Sequence, residues 1–166
     1  MQQATLDIHD RHAADPRKIS DALNSLLRGE VSAVETYDQA IEKFTNPLQS
    51  EVLTVLAHIR DEHILIVNWL RQRITSQGGD PVEGSGVWGS FTQAITSTAK
   101  LLGPQTALAA LKQGELIGFE NFQKTLADSV LPSDYHATLT QEFIQKSQQH
   151  VAALDDLIQH LQVDAN

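Results

Sequence analysis

Residues 23–37 read LNSLLRGEVSAVETY, and residues 108–122 read LAALKQGELIGFENF. Laid over each other at an offset of 85 (115 minus 30), Leu23, Leu26, Gly29, Glu30, Val34 and Tyr37 fall on Leu108, Leu111, Gly114, Glu115, Phe119 and Phe122. The apolar positions recur every three or four residues, the period of a helix with one buried stripe. Each stripe skips a turn, and each time a glutamate fills the skipped position: Glu30 in the first copy, Glu115 in the second.

The segments that follow repeat as well. At an offset of 87 (150 minus 63), Val52, Leu56, His63, Val67, Leu70 and Ile74 fall on Leu139, Phe143, His150, Leu154, Leu157 and Leu161. Here the interrupted seam position is a histidine. The chain is therefore a duplicated helix pair. Two hairpins with one apolar stripe each bury those stripes best against one another, as an antiparallel four-helix bundle.

Punctuation sets the bounds. Asp15-Pro16, Asn46-Pro47, Gly103-Pro104 and Leu131-Pro132-Ser133 cut the chain into helices expected at about 16–45, 47–76, 104–130 and 133–162. Helices of that length are ~40 Å long at 1.5 Å per residue, so joining the second to the third requires a long crossover. Residues 77–103 supply it, opening with the Gly-, Ser- and Pro-rich stretch around Gly78-Gly79-Asp80-Pro81. Within it Trp88, Phe91, Ile95, Ala99 and Leu102 have helical spacing, predicting a short amphipathic helix over 87–102. Residues 1–15 read as a polar tail and 16–166 as one domain.

Composition narrows the chemistry. The 166 residues contain no cysteine, which excludes disulfides, thiolate zinc and iron–sulfur clusters, so any metal must use His and carboxylates. A net charge of −9 with no long basic run argues against nucleic acid as a partner. No apolar run reaches the ~18 residues of a membrane span, and Asp7, Asp10 and Asp15 occupy the place of a signal peptide's apolar stretch, so the expected location is cytoplasmic and no membrane partner is expected. Ile64, Leu65, Ile66, Val67, Trp69 and Leu70 are apolar around most of the second helix, which calls for cover by the crossover or by a second subunit; a homo-oligomer, a dimer, is expected.

One ionisable residue per helix, all on the inward stripe, brings Glu30, His63, Glu115 and His150 to one core layer. A lone buried carboxylate costs several kcal/mol, so these groups must be paired, protonated or bound to metal. Carboxylate and imidazole are ligands for iron, manganese or zinc.

The order Glu, His, Glu, His with a long second crossover resembles the ferritin-like superfamily, and Gly29-Glu30 with Tyr37 and Glu62-His63 resemble rubrerythrin-type signatures. The repeated Gly-Glu element and the Gly78–Pro81 crossover are similar to a bacterial ferritin-like four-helix-bundle family of unknown function, from about residue 17 onward. That resemblance implies a di-metal centre with a Glu from helices one and three and Glu-x-x-His from helices two and four. Glu30, His63, Glu115 and His150 match it; Arg60 and Ser147 stand where the other two glutamates should be.

A guanidinium one turn from His63 works against two cations, and Arg60 is expected instead to form an ion pair with Glu30 or Glu115 inside a metal-free network. Glu62, about 100° around the helix from His63, and Glu142, two turns from His150, are not expected to substitute for the lost ligands. The residues thus leave two readings open: iron or manganese handling in a stress response at an incomplete site, or a metal-free, non-enzymatic bundle serving as a structural or adaptor protein. They lean toward the second. Tyr37 is either a redox-active phenol or a core aromatic, and its repeat partner Phe122 favours the latter.

Overall fold

The computed structural model describes residues 15–44, 50–86, 103–128 and 131–163. Helix α1 spans Pro16–Lys43; Asp15 caps it by accepting from the Arg17 amide at 3.0 Å, and Pro16 occupies the first turn, where its missing N–H costs nothing. Helix α2 spans Ser50–Ser76. It ends where Gly78 adopts φ 74°, and the Gly79 amide turns back to the Ile74 carbonyl at 3.0 Å.

Helix α3 spans Pro104–Ala127 behind Gly103 at φ 87°. Helix α4, residues 133–163, runs as Ser133–Thr138, a wide π turn at Leu139–Phe143, and Ile144–Val163. Two differences from the sequence expectation stand out. The third helix stops at Ala127 instead of continuing to 130, and the π turn has no counterpart in α2. The expected crossover helix at 87–102, the polar tail up to residue 14 and the Asn46-Pro47 break lie outside the described residues.

The helices form the two hairpins that the repeat implies, α1 against α2 and α3 against α4, with α1 also meeting α3 and α2 meeting α4. The crossover leaves α2 along the outside of α1. Asn24 anchors it with both ends of its amide, donating to the Asp80 carbonyl at 3.1 Å and accepting from the Val82 amide at 2.9 Å, and Ser85 donates to Glu35 at 2.8 Å. Gly79 passes so close to α1 that a Cβ would lie 2.5 Å from Ser20 Oγ; only glycine fits.

The apolar core is in two parts. One cluster gathers Leu23, Leu27, Ile66, Leu70, Ile74, Phe122, Leu139 and Phe143. The other gathers Tyr37, Leu56, Ile59, Leu108, Leu111, Leu154 and Leu157. Trp69 stacks edge-on against Phe143 at 5.2 Å between centroids, closing the first cluster toward solvent. Among the described residues, no helix is long and apolar enough to cross a membrane.

Candidate metal centre

Between the two clusters lie the four seam residues, each buried to 5% exposure or less: Glu30, His63, Glu115 and His150. Each belongs to a different helix, so only the assembled bundle creates the layer. Glu115 is its centre. Its Oε1 accepts from His63 Nε2 at 2.9 Å and from the Tyr37 hydroxyl at 2.7 Å, and its Oε2 meets His150 Nδ1 at 3.1 Å. The two imidazoles therefore flank one carboxylate, with ring centroids 5.1 Å apart.

The outer nitrogen of each ring also has a carboxylate. His63 Nδ1 meets Glu30 Oε2 at 2.7 Å, and His150 Nε2 meets Glu62 Oε2 at 2.9 Å. Glu62 in turn pairs with Lys146 at the surface. A continuous hydrogen-bonded row thus crosses the bundle: Glu30, His63, Glu115, His150, Glu62, Lys146.

The electrostatics follow from this geometry. Burial disfavours the imidazolium of His63, but Glu115 and Glu30 on its two nitrogens outweigh it and push its pKa up to about 10. Burial likewise acts against the Glu115 carboxylate; the His63 charge and the hydrogen bonds from both rings prevail, holding it well below the usual carboxylate range. Tyr37, fully buried beside Glu115, is pushed well above the ordinary phenol value, so its hydroxyl stays a donor.

Two sequence expectations are overturned. Arg60 does not enter the core: it is partly exposed and pairs with Asp38 at 3.2 Å and Asp61 at 2.7 Å. The position four residues before His63 is the one turned inward, and Ile59 holds it. Glu62 does reach the site. A 100° offset from His63 takes it off α1 but onto α4, because a bundle helix faces two neighbours rather than one. Lys146, one turn before His150, was the available signal, since it places an opposite charge across from Glu62 on the neighbouring helix. Ser147 is buried, and its hydroxyl donates to the Phe143 carbonyl at 3.1 Å. Glu142 is exposed and away from the layer.

His63, Glu115 and His150 each offer a ligand atom within 4.8 Å of the others, a set able to hold a metal ion. The donor set suits one ion better than two. The positions that would complete a six-ligand pair are Arg60, turned outward, and Ser147, while Glu30 and Glu62 are engaged on the far nitrogens of the two rings.

Comparison with known proteins agrees with the fold. The family described as "Domain of unknown function (DUF2383)" matches residues 18–128. A solved structure described as "ferritin like, diiron-carboxylate proteins" from Bacillus anthracis str. Ames superimposes with a TM-score of 0.71, covering 89% of this chain and 99% of that chain at 17% identity. At that identity the likeness establishes architecture: this is a ferritin-like bundle. No curated protein matches the chain.

Proposed function

Because the chain belongs to the family described as "Domain of unknown function (DUF2383)", which brings no activity with it, we propose a function from the geometry: a ferritin-like protein that holds one divalent transition-metal ion per bundle. In this reading His63 Nε2, His150 Nδ1 and the Glu115 carboxylate are the ligands. The observation that carries it is the carboxylate lying between two inner ring nitrogens, with the donor atoms within 4.8 Å of one another. Glu30 and Glu62, on the outer nitrogens, fix the ring orientations as carboxylates behind metal-bound histidines do. Tyr37 holds Glu115 Oε1 in place.

Two imidazoles and a carboxylate suit iron(II), manganese(II) or zinc(II). Iron or manganese would supply redox chemistry toward peroxide or oxygen, and handling of such an ion under oxidative stress is the function proposed. The exposed Leu65 and Ile64 on α2 support a homodimer through that face, which light scattering on the purified protein tests.

Elemental analysis of protein purified without chelator, before and after loading with iron, manganese or zinc, tests the site. One ion per chain, lost in Glu115→Ala, is the expected result. Two ions per chain would overturn the single-ion stoichiometry, and none under any loading would leave the second reading.

That second reading is a metal-free bundle acting through its surface, and one observation favours it: every ring nitrogen already has a carboxylate partner, so the layer is satisfied without an ion. It requires that replacing Glu30, His63, Glu115 and His150 together by leucine be tolerated.

A further inference from the structure

The hydrogen-bonded row through the layer comes to the surface at Glu62 and Lys146. The side chains of Glu30, His63, Glu115 and His150 are 6% exposed or less, whereas Glu62 is 15% exposed and Lys146 31%. Just outside them stands a residue that the row does not use. His58, one turn before Glu62 on α2, is 72% exposed, with its Nε2 3.6 Å from Glu62 Oε2. The same oxygen meets His150 Nε2 at 2.9 Å. One carboxylate oxygen thus lies between an imidazole in solvent and an imidazole of the layer.

Two features set this arrangement apart from an ordinary surface pair. The first is succession. His58, Glu62 and His150 are all donors that take divalent transition metals, and they follow one another from solvent to core. His150 spans the last step, because it presents Nε2 toward Glu62 and Nδ1 toward Glu115.

The second is the charge set against such a cation. The Lys146 ammonium pairs with the other oxygen of Glu62, Oε1, where it neutralises the carboxylate and repels a second positive charge. A lysine is a point charge on a flexible four-carbon stem, and this one is exposed enough to turn into solvent. Paired, it closes the position; turned away, it leaves Glu62 to His58 and His150.

We propose that His58 and Glu62 form a transit site for divalent cations on the α2–α4 surface, through which the Glu/His layer is loaded, with Lys146 as the charge that restrains entry. The inference deepens the functional reading above and rests on it, since the layer is the destination. Two protein donors hold a hydrated ion loosely, as a point of passage requires.

A residue that assists passage without holding the resident ion lowers the barrier in both directions. Its loss slows uptake and release by one factor and leaves the affinity unchanged, whereas loss of a resident ligand weakens the affinity. The test uses cobalt(II) with the metal-free full chain. Uptake is followed by stopped-flow absorbance, release by transfer to excess chelator, and affinity and stoichiometry by equilibrium titration. His58→Ala should slow uptake and release equally, by at least about threefold, with Kd unchanged. Lys146→Met should speed uptake by at least about threefold. Both side chains project into solvent, and circular dichroism checks that the variants fold.

Unchanged uptake in both variants would overturn the proposal. So would a weaker affinity in His58→Ala at an unchanged uptake rate, which would make His58 a resident ligand. Slower uptake in Gly118→Leu, which narrows the opening between α1 and α3 that also reaches His63 and Glu115, would place entry there if His58→Ala loads normally. The two readings separate by stoichiometry: one cobalt per chain with rates indifferent to His58 and Lys146 sinks the transit site alone, and no bound cobalt in the wild type sinks the metal reading and the transit site with it.

Discussion

Glu115→Ala is the most demanding perturbation of this core. The carboxylate is 3% exposed and accepts from His63, His150 and Tyr37 at 2.9, 3.1 and 2.7 Å. Its removal leaves the imidazolium of His63 with Glu30 alone, and leaves the Tyr37 hydroxyl and His150 Nδ1 without the acceptor they share. Breaking a buried ion pair from one side costs about 3–5 kcal/mol. Each stranded donor would add about 1–3 kcal/mol if counted alone, but groups sharing one partner do not add. The expected loss is thus about 3–5 kcal/mol at pH 7, or roughly 6–20 °C in Tm for a chain of this size. Urea titration followed by far-ultraviolet circular dichroism, with metal removed and the slope fitted, measures it. A loss below about 1 kcal/mol would refute the claim that Glu115 is the node joining the layer.

Other outcomes follow from the same contacts. Since the folded-state pKa of His63 is raised to about 10 from 6.5, its stabilising contribution is complete below about pH 6.5 and is lost as pH climbs through 10; Glu115, held low, contributes above its unfolded value of about 4.3 and loses that contribution as pH falls. The stability gap between wild type and Glu115→Ala should accordingly be widest near neutrality and narrow above pH 10, as urea midpoints from pH 5 to 11 would reveal. Arg60→Ala should change stability by no more than about 0.5 kcal/mol, because its partners Asp38 and Asp61 are 52% and 62% exposed; a loss of several kcal/mol would return Arg60 to the core. Gly79→Ala should cost about 1–3 kcal/mol, since its Cβ would sit 2.5 Å from the buried Ser20 Oγ, and an unchanged denaturation midpoint would show that the crossover yields there.

The bundle and its polar layer were legible because both rest on periodicity. A stripe interrupted once per helix by Glu30, His63, Glu115 or His150 fixes the facing of each helix about its own axis, and the repeat aligns the four interruptions. The sequence is less explicit about which neighbour a flanking position meets. That is why the apolar stripe alone puts Glu62 outside the layer and Arg60 inside it: a one-residue step changes the facing by 100°, enough to move from one partner helix to another. The π turn at Leu139–Phe143 was not legible either, since the residues LTQEF obey the same apolar spacing as an ordinary turn.

A duplicated chain carries an inherent ambiguity, because leucine rows copied from one ancestor can mesh in shifted or exchanged alignments as readily as in the native one. The division of the hydrocarbon interior into two compartments by an ionisable partition removes that freedom. Sliding any helix by a single turn, about 5.4 Å, would carry a carboxylate or imidazole into one oily compartment and leucine into the partition. The partition thus acts as a vernier, admitting one alignment out of several that the apolar rows alone would accept.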